Sequence, residues 1–137
     1  MWAVFALFSA IFAAATSILA KIGLENVNSN LAVAIRTVVV LAMAWGMVFI
    51  TGAHEGIAAI TRRNYVFLIF SGIATGLSLL CYFRALQMGP ASRVIPIDKS
   101  SVVFGMILAF IILQETLTLK AVIGGALITI GTFVLIF

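Results

Sequence analysis

The sequence predicts an all-α, polytopic membrane protein with five transmembrane helices. Three observations carry that reading. Hydrophobic residues make up 64% of the 137 positions, charged residues only 9%, and the mean hydropathy is +1.30. Soluble chains carry about 25% charged residues, and a chain this short has too little interior to hide so much apolar surface from water. The apolar residues also fall into five runs, each near the roughly 20 residues that cross a bilayer as a helix. Finally, brief polar connectors separate the runs. Helices rather than strands follow from run length, and from the need in lipid to satisfy every backbone group within its own segment.

The first span covers residues 2–22. No basic stretch precedes "MWAVFALFSAIFAAATSILA", and similar runs follow it, so it reads as a retained helix rather than a cleaved signal peptide. The asparagine-rich turn "ENVNSN" leads to the second span, residues 31–51. "GAHEGIAAITRRN" is the longest and most polar connector, and the third span follows it at residues 65–87. "MGP" is a tight break, because Pro90 disfavours helix in the residue before it. The fourth span occupies residues 91–113, and after "QETLT" the fifth occupies 119–137, with Thr118 placed as its N-cap. Residues 1–137 are expected to form a single transmembrane domain.

Five spans put the two ends of this sequence on opposite sides of the membrane. The basic residues that orient such chains are nearly balanced. Arg62, Arg63 and Lys120 lie on the N-terminal side, and Lys21, Arg84 and Arg93 on the other. Arg36 and Lys99, inside spans but near that second side, tilt the balance slightly. A bias this small permits insertion in both orientations; one orientation, with the second side inward, is the alternative. No internal repeat is evident. Transporter paths commonly lie between inverted repeats, and five helices enclose little space, so a path here needs its other half from a second chain.

Small residues mark candidate helix contacts, since they let backbones approach closely in lipid. Gly72 and Gly76 stand at four-residue spacing in the third span; Gly124, Gly125 and Gly131 lie in the fifth.

Charges inside spans are the strongest functional signal. Each costs about 2.5–3.5 kcal/mol on insertion scales, and so faces a bundle interior or a wet cavity. Here they are Arg36, Arg84, Asp98 and Lys99. The last two lie in "PIDKSS", about 10 Å along the fourth span at 1.5 Å per residue, near one mouth rather than the midplane. Neighbours on a helix point 100° apart, so Asp98 is expected to pair with Arg36 or Arg84 rather than Lys99. Pro96 removes one backbone hydrogen bond and frees a carbonyl near Ser92. Pro96, Asp98, Lys99, Ser100 and Ser101 thus suggest a kinked helix lining a hydrated space, with Trp45 and Tyr82 as aromatic walls. Beside anchoring to lipid headgroups, two readings stay open for these residues. One is a fixed ion pair that orders one end of the bundle. The other is a polar vestibule on a transport path, made of Arg36, Trp45, Tyr82, Arg84, Pro96, Asp98, Lys99 and Ser101.

Enzyme signals are poor. The single histidine, His54, sits in a polar loop beside Glu55, and Glu115 has no second carboxylate near it in sequence. No metal-ligand, nucleophile-elbow or phosphate-loop motif is present. No cofactor or metal is expected. The single cysteine, Cys81, excludes an intrachain disulfide and reads as apolar packing. The net charge of +4 is scattered rather than gathered into a nucleic-acid stripe.

The order of these marks resembles the EamA-like domain of the drug/metabolite transporter superfamily. The stretch "YFRALQMGPASRVIPIDKSSVVFGMILAFIILQETLTLKAVIGGALITIGTFVLI" carries it, through "RAL" before Gly-Pro, the early Pro96, Glu115 after the fourth span and the glycine-bearing fifth span. "AKIGL" at the end of the first span fits as well. The resemblance implies an inverted-repeat transporter completed by dimerisation. The expectation is a bacterial-type inner-membrane secondary transporter that moves a small metabolite or drug-like solute by alternating access, as an antiparallel homodimer in lipid. A non-transporting membrane subunit that binds a partner through its glycine faces is the alternative. One departure is clear. Small multidrug resistance relatives carry a carboxylate in their first helix, whereas residues 1–20 here hold no acid.

Overall fold

The computed structural model describes residues 1–137, all in helices and their connectors. In chain order these are α1 (Trp2–Gly23), α2 (Ser29–Ile50), a 3-10 helix (Ala53–Ala59), α3 (Arg62–Met88), α4 (Ala91–Lys99), α5 (Ser101–Ile112) and α6 (Leu119–Ile136). Five stretches are long and apolar enough to cross a membrane, with α4 and α5 together forming one of them, Ala91–Ile112. The protein is an integral membrane protein of the all-α class.

The chain divides into two compact units. One contains residues 19–88, and the other residues 1–18 with 89–137.

In the unit formed by residues 19–88, polar residues set the helix ends. The hydropathy run alone begins at Leu31, but the Asn28 side chain accepts the Asn30 N–H at 2.9 Å and starts α2 at Ser29. This is ordinary N-capping by a short polar side chain. Asn28→Ala is expected to cost about 1 kcal/mol, read as a lower unfolding midpoint in detergent. At its far end α2 stops at Thr51, and Gly52 takes φ 70°, a left-handed conformation that glycine adopts without Cβ strain. The 3-10 helix follows. Thr61 Oγ1 then accepts the Asn64 N–H at 3.4 Å at the start of α3.

The core of this unit lies at one end, where α1 finishes, α2 begins and α3 finishes. It consists of Leu24, Val33, Phe83 and Leu86, the last fully buried. Farther along, α3 leaves Phe67, Phe70 and Ile73 exposed, and α2 leaves Val38, Met43 and Phe49 exposed. Lipid tails are as apolar as these side chains, so exposure in a bilayer carries no hydrophobic penalty.

In the other unit, Thr118 caps α6 by accepting the Ala121 N–H at 3.2 Å, as its sequence position predicts. Gly125 of α6 is buried against α5: a Cβ built there would lie 2.7 Å from Met106 Cε. The methionine end is flexible, so Gly125→Ala is expected to change thermal stability little. Gly125→Leu should overpack the contact and cost about 1–3 kcal/mol. A differential scan of both variants in detergent checks the contrast.

Hydroxyls along the spans satisfy themselves on their own helices. Thr37, Thr75 and Thr129 donate to the carbonyls of Val33, Ser71 and Gly125 at 2.7, 2.9 and 2.9 Å. Such i−4 bonds let a polar side chain sit in an apolar medium without an orphaned donor.

Candidate functional site

The candidate residues fall into two sets, one in each unit. Arg36, Trp45, Tyr82 and Arg84 lie on α2 and α3. Pro96, Asp98, Lys99 and Ser101 lie on α4 and the start of α5.

In the first set, the Arg36 guanidinium carbon sits 5.4 Å from the centre of the Phe83 ring. Phe83 is 2% exposed, so this cation–π contact fixes a half-buried charge against a rigid wall. Tyr82 is half-buried, with its ring edge-on to Phe83 at 6.2 Å. Trp45 is farther along α2, exposed, and pairs with Phe49 at 5.9 Å. Arg84 is exposed and donates from Nη1 to Gln87 Oε1 at 3.1 Å. Gln87 in turn donates from Nε2 to the Val27 carbonyl at 2.8 Å. The α3 terminus is thereby tied to the turn between α1 and α2.

Lys21 strengthens that tie. Its ammonium donates to the carbonyl of Leu86, in the last turn of α3. Carbonyls in the last turn lack helical donors and carry the negative end of the helix dipole, so a cation is favoured there. A cavity of about 620 Å³ beside it is lined by Lys21, Glu25, Asn26 and Gln87 with Ile22, Leu24 and Leu86. A second cavity, of about 510 Å³, is lined by Asn28, Ser29, Asn30, Leu80, Cys81 and Arg84.

In the second set, the partner of Asp98 is Lys99, with Nζ 3.4 Å from Oδ2. This corrects the expectation that adjacent helix positions would look to different neighbours. Lys99 is the last residue of α4, and its long flexible stem lets the ammonium swing back across the 100° between them. Both side chains remain accessible, 33% for Asp98 and 52% for Lys99. An accessible ion pair of this kind is worth about 0–1 kcal/mol, so it can open without large cost.

The fourth span is interrupted at Ser100, one turn beyond Pro96. Ser100 donates both its N–H, at 3.1 Å, and its hydroxyl, at 2.6 Å, to the Ile97 carbonyl, and α5 restarts at Ser101. The Thr132 hydroxyl of α6 donates to the Ile128 carbonyl of its own helix at 2.8 Å, with the Pro96 carbonyl a longer second acceptor at 3.4 Å. Ser101 itself is exposed.

The glycines divide. Gly125 is in contact with α5, whereas Gly72, Gly76, Gly124 and Gly131 have nothing within 4 Å of a built Cβ.

Sequence reasoning did not single out Lys21, Gln87 or Ser29 as site residues. "AKIGL" and "ENVNSN" drew notice as a family mark and a turn, but only the approach of α3 to that turn gives them partners.

Comparison with known proteins agrees with this architecture. The EamA-like transporter family model matches residues 1–137. An uncharacterized transporter in the cobO 3' region of a Sinorhizobium species is 44% identical over 134 residues, covering 98% of this chain and 95% of that one. An uncharacterized protein of Methanocaldococcus jannaschii is 30% identical over 82 residues, 60% of each chain. No solved structure matches.

Proposed function

We propose, from the premise that this chain belongs to the EamA-like transporter family, that it is a secondary transporter for a small metabolite or drug-like solute. Membership points to transport rather than catalysis. In this reading residues 1–137 work as one domain of the bacterial inner membrane, and two copies in antiparallel orientation complete the path. Alternating access then exchanges the two mouths. The first four spans line the path, and α6 packs at the periphery.

The observation that carries this reading is the set of ionic and polar groups kept inside apolar spans at the ends of α3 and α4. Arg84, Asp98 and Lys99 stay accessible instead of being sealed in a core. Charges are retained in a span where they meet water or a polar ligand. The open faces at Gly72 and Gly76 leave room for a second copy to approach closely.

Two measurements test it. Proteoliposomes incubated with an isotopically labelled metabolite extract should accumulate one or a few solutes, counted by mass spectrometry; no enrichment over empty vesicles would overturn the transport reading. Reporters fused at the C-terminus, one active only inside and one only outside, should both give signal. A single orientation would overturn the antiparallel dimer and favour a parallel assembly or a subunit that packs on another protein.

A further inference from the structure

We infer, resting on the transport reading above, that the solute carries a carboxylate or phosphate group and that Arg36 of α2 is the cation that receives it.

Arg36 lies about 10 Å along α2 at 1.5 Å per residue. It continues the protein-facing stripe of that helix, three positions after buried Val33 and seven after buried Ser29. Its guanidinium carbon sits over Phe83, 5.4 Å from the ring centre, and Phe83 is buried. A ring attracts the charge but offers no lone pair to the five N–H donors. No oxygen of the chain accepts from Arg36, and no carboxylate pairs with it. The unit formed by residues 19–88 holds two acids. Glu25 lies in the turn before α2, and Glu55 in the 3-10 helix beyond its far end. Asp98, in the other unit, is engaged by Lys99.

Every fully buried side-chain nitrogen in the chain has a partner. The unbonded nitrogens of half-buried Arg36 therefore keep open surface, where a ligand reaches them. A span retains charge where it meets water or a polar ligand. A planar guanidinium takes the paired oxygens of a carboxylate or phosphate in two parallel bonds. Deeper in the span α3 leaves room. Gly76 and Gly72 precede Phe83 by seven and eleven positions on the same face, and a Cβ built at either meets nothing within 4 Å.

Two sources present such oxygens, a soluble anion and a lipid headgroup. Phe83 stands five residues before the end of α3, about 8 Å along its axis. The guanidinium is thus held within the span rather than at its rim, which favours the solute.

Equilibrium dialysis tests this. Purified protein in non-ionic detergent faces a metabolite extract, and solutes enriched on the protein side are identified by mass spectrometry. Sodium chloride at physiological ionic strength suppresses the general attraction of anions by the net charge of +4. In a parallel arm, phosphatidylglycerol and phosphatidylcholine are offered equally in mixed micelles, and bound lipid is counted by native mass spectrometry. Solutes bearing a carboxylate or phosphate should be enriched, and Arg36→Gln should lower their enrichment about tenfold or more. Lys120→Gln, at the exposed first turn of α6, removes the same charge and should retain them. Arg36→Lys keeps a charge beside Phe83 without the paired donors and should hold an intermediate amount. A thermal melt of each variant reports its fold; if Arg36→Gln does not fold, the fall from wild type to Arg36→Lys decides. Enrichment of neutral or cationic solutes only, enrichment of nothing, or undiminished enrichment of anions in a folded Arg36→Gln variant overturns the assignment. Binding of phosphatidylglycerol alone, lost in Arg36→Gln, gives the site to a headgroup and overturns it as well. The readout is equilibrium binding, so it fails independently of transport: proteoliposomes that accumulate a neutral or cationic solute would leave transport standing and Arg36 without this role.

Discussion

Proteoliposomes made with Arg84→Gln or Asp98→Asn are expected to accumulate solute at no more than about a tenth of the wild-type rate, a loss of about 1.4 kcal/mol of transition-state stabilisation. The reasoning is electrostatic. Arg84 is exposed and has donors beyond the one engaged by Gln87. Asp98 holds Lys99 at 3.4 Å in an accessible pair. In the transport path proposed above, either substitution changes the charge that a solute meets, and charge is kept in a span where it meets water or a polar ligand. The two variants differ in what remains. Asp98→Asn frees the Lys99 ammonium, whereas Arg84→Gln removes a cation outright. Lys120→Gln, at the exposed first turn of α6, changes the charge by the same amount and should transport normally. Normal transport in both Arg84→Gln and Asp98→Asn would show that these charges are structural only.

Lys21→Met should destabilise the unit formed by residues 19–88 by about 1.5–3 kcal/mol, the range for a hydrogen bond to a charged group. The ammonium of Lys21 lies on the carbonyl of Leu86, a residue with no exposed surface. Methionine keeps the apolar stem that packs along the helix, so the variant isolates the charge from the packing. Two further effects add to the lost bond. The last turn of α3 loses a favourable charge at its negative end, and more of the tie to the connector between α1 and α2 falls on the Gln87 bond to Val27. A thermal melt in non-ionic detergent should show a lower midpoint. Lys21→Arg should recover much of it. An unchanged midpoint for Lys21→Met would mean that packing of Leu24, Phe83 and Leu86 alone holds this end together.

Both predictions concern residues near the ends of spans, where sequence and structure contribute different things. The five apolar runs are legible because lipid imposes one rule on every residue of a span. Thr118 is legible for a similar reason: a capping side chain acts on its own helix, within three residues. Arg36, Arg84, Asp98 and Lys99 stand out because charge in a span is rare. Their partners do not stand out. The reach of Lys99 back to Asp98 depends on a flexible stem at a helix end. The contact of Arg36 with Phe83 depends on how α2 meets α3. Ser29 is invisible in a polar turn until burial and the approach of Arg84 give it a setting.

What the sequence alone determined is therefore the solvent, the class and the family. An apolar fraction of 64% in 137 residues leaves lipid as the medium, and run length then makes helices obligatory. The tertiary structure decided which polar groups meet. Lys21 reaches the end of α3, Gln87 reaches Val27, and Arg84 faces the cavity at the first turn of α2. The physical reason is distance along the chain. Hydropathy and capping act over a few neighbours, whereas these contacts join residues separated by 65 and 60 positions, and only the packing of one helix against another brings such groups within bonding reach.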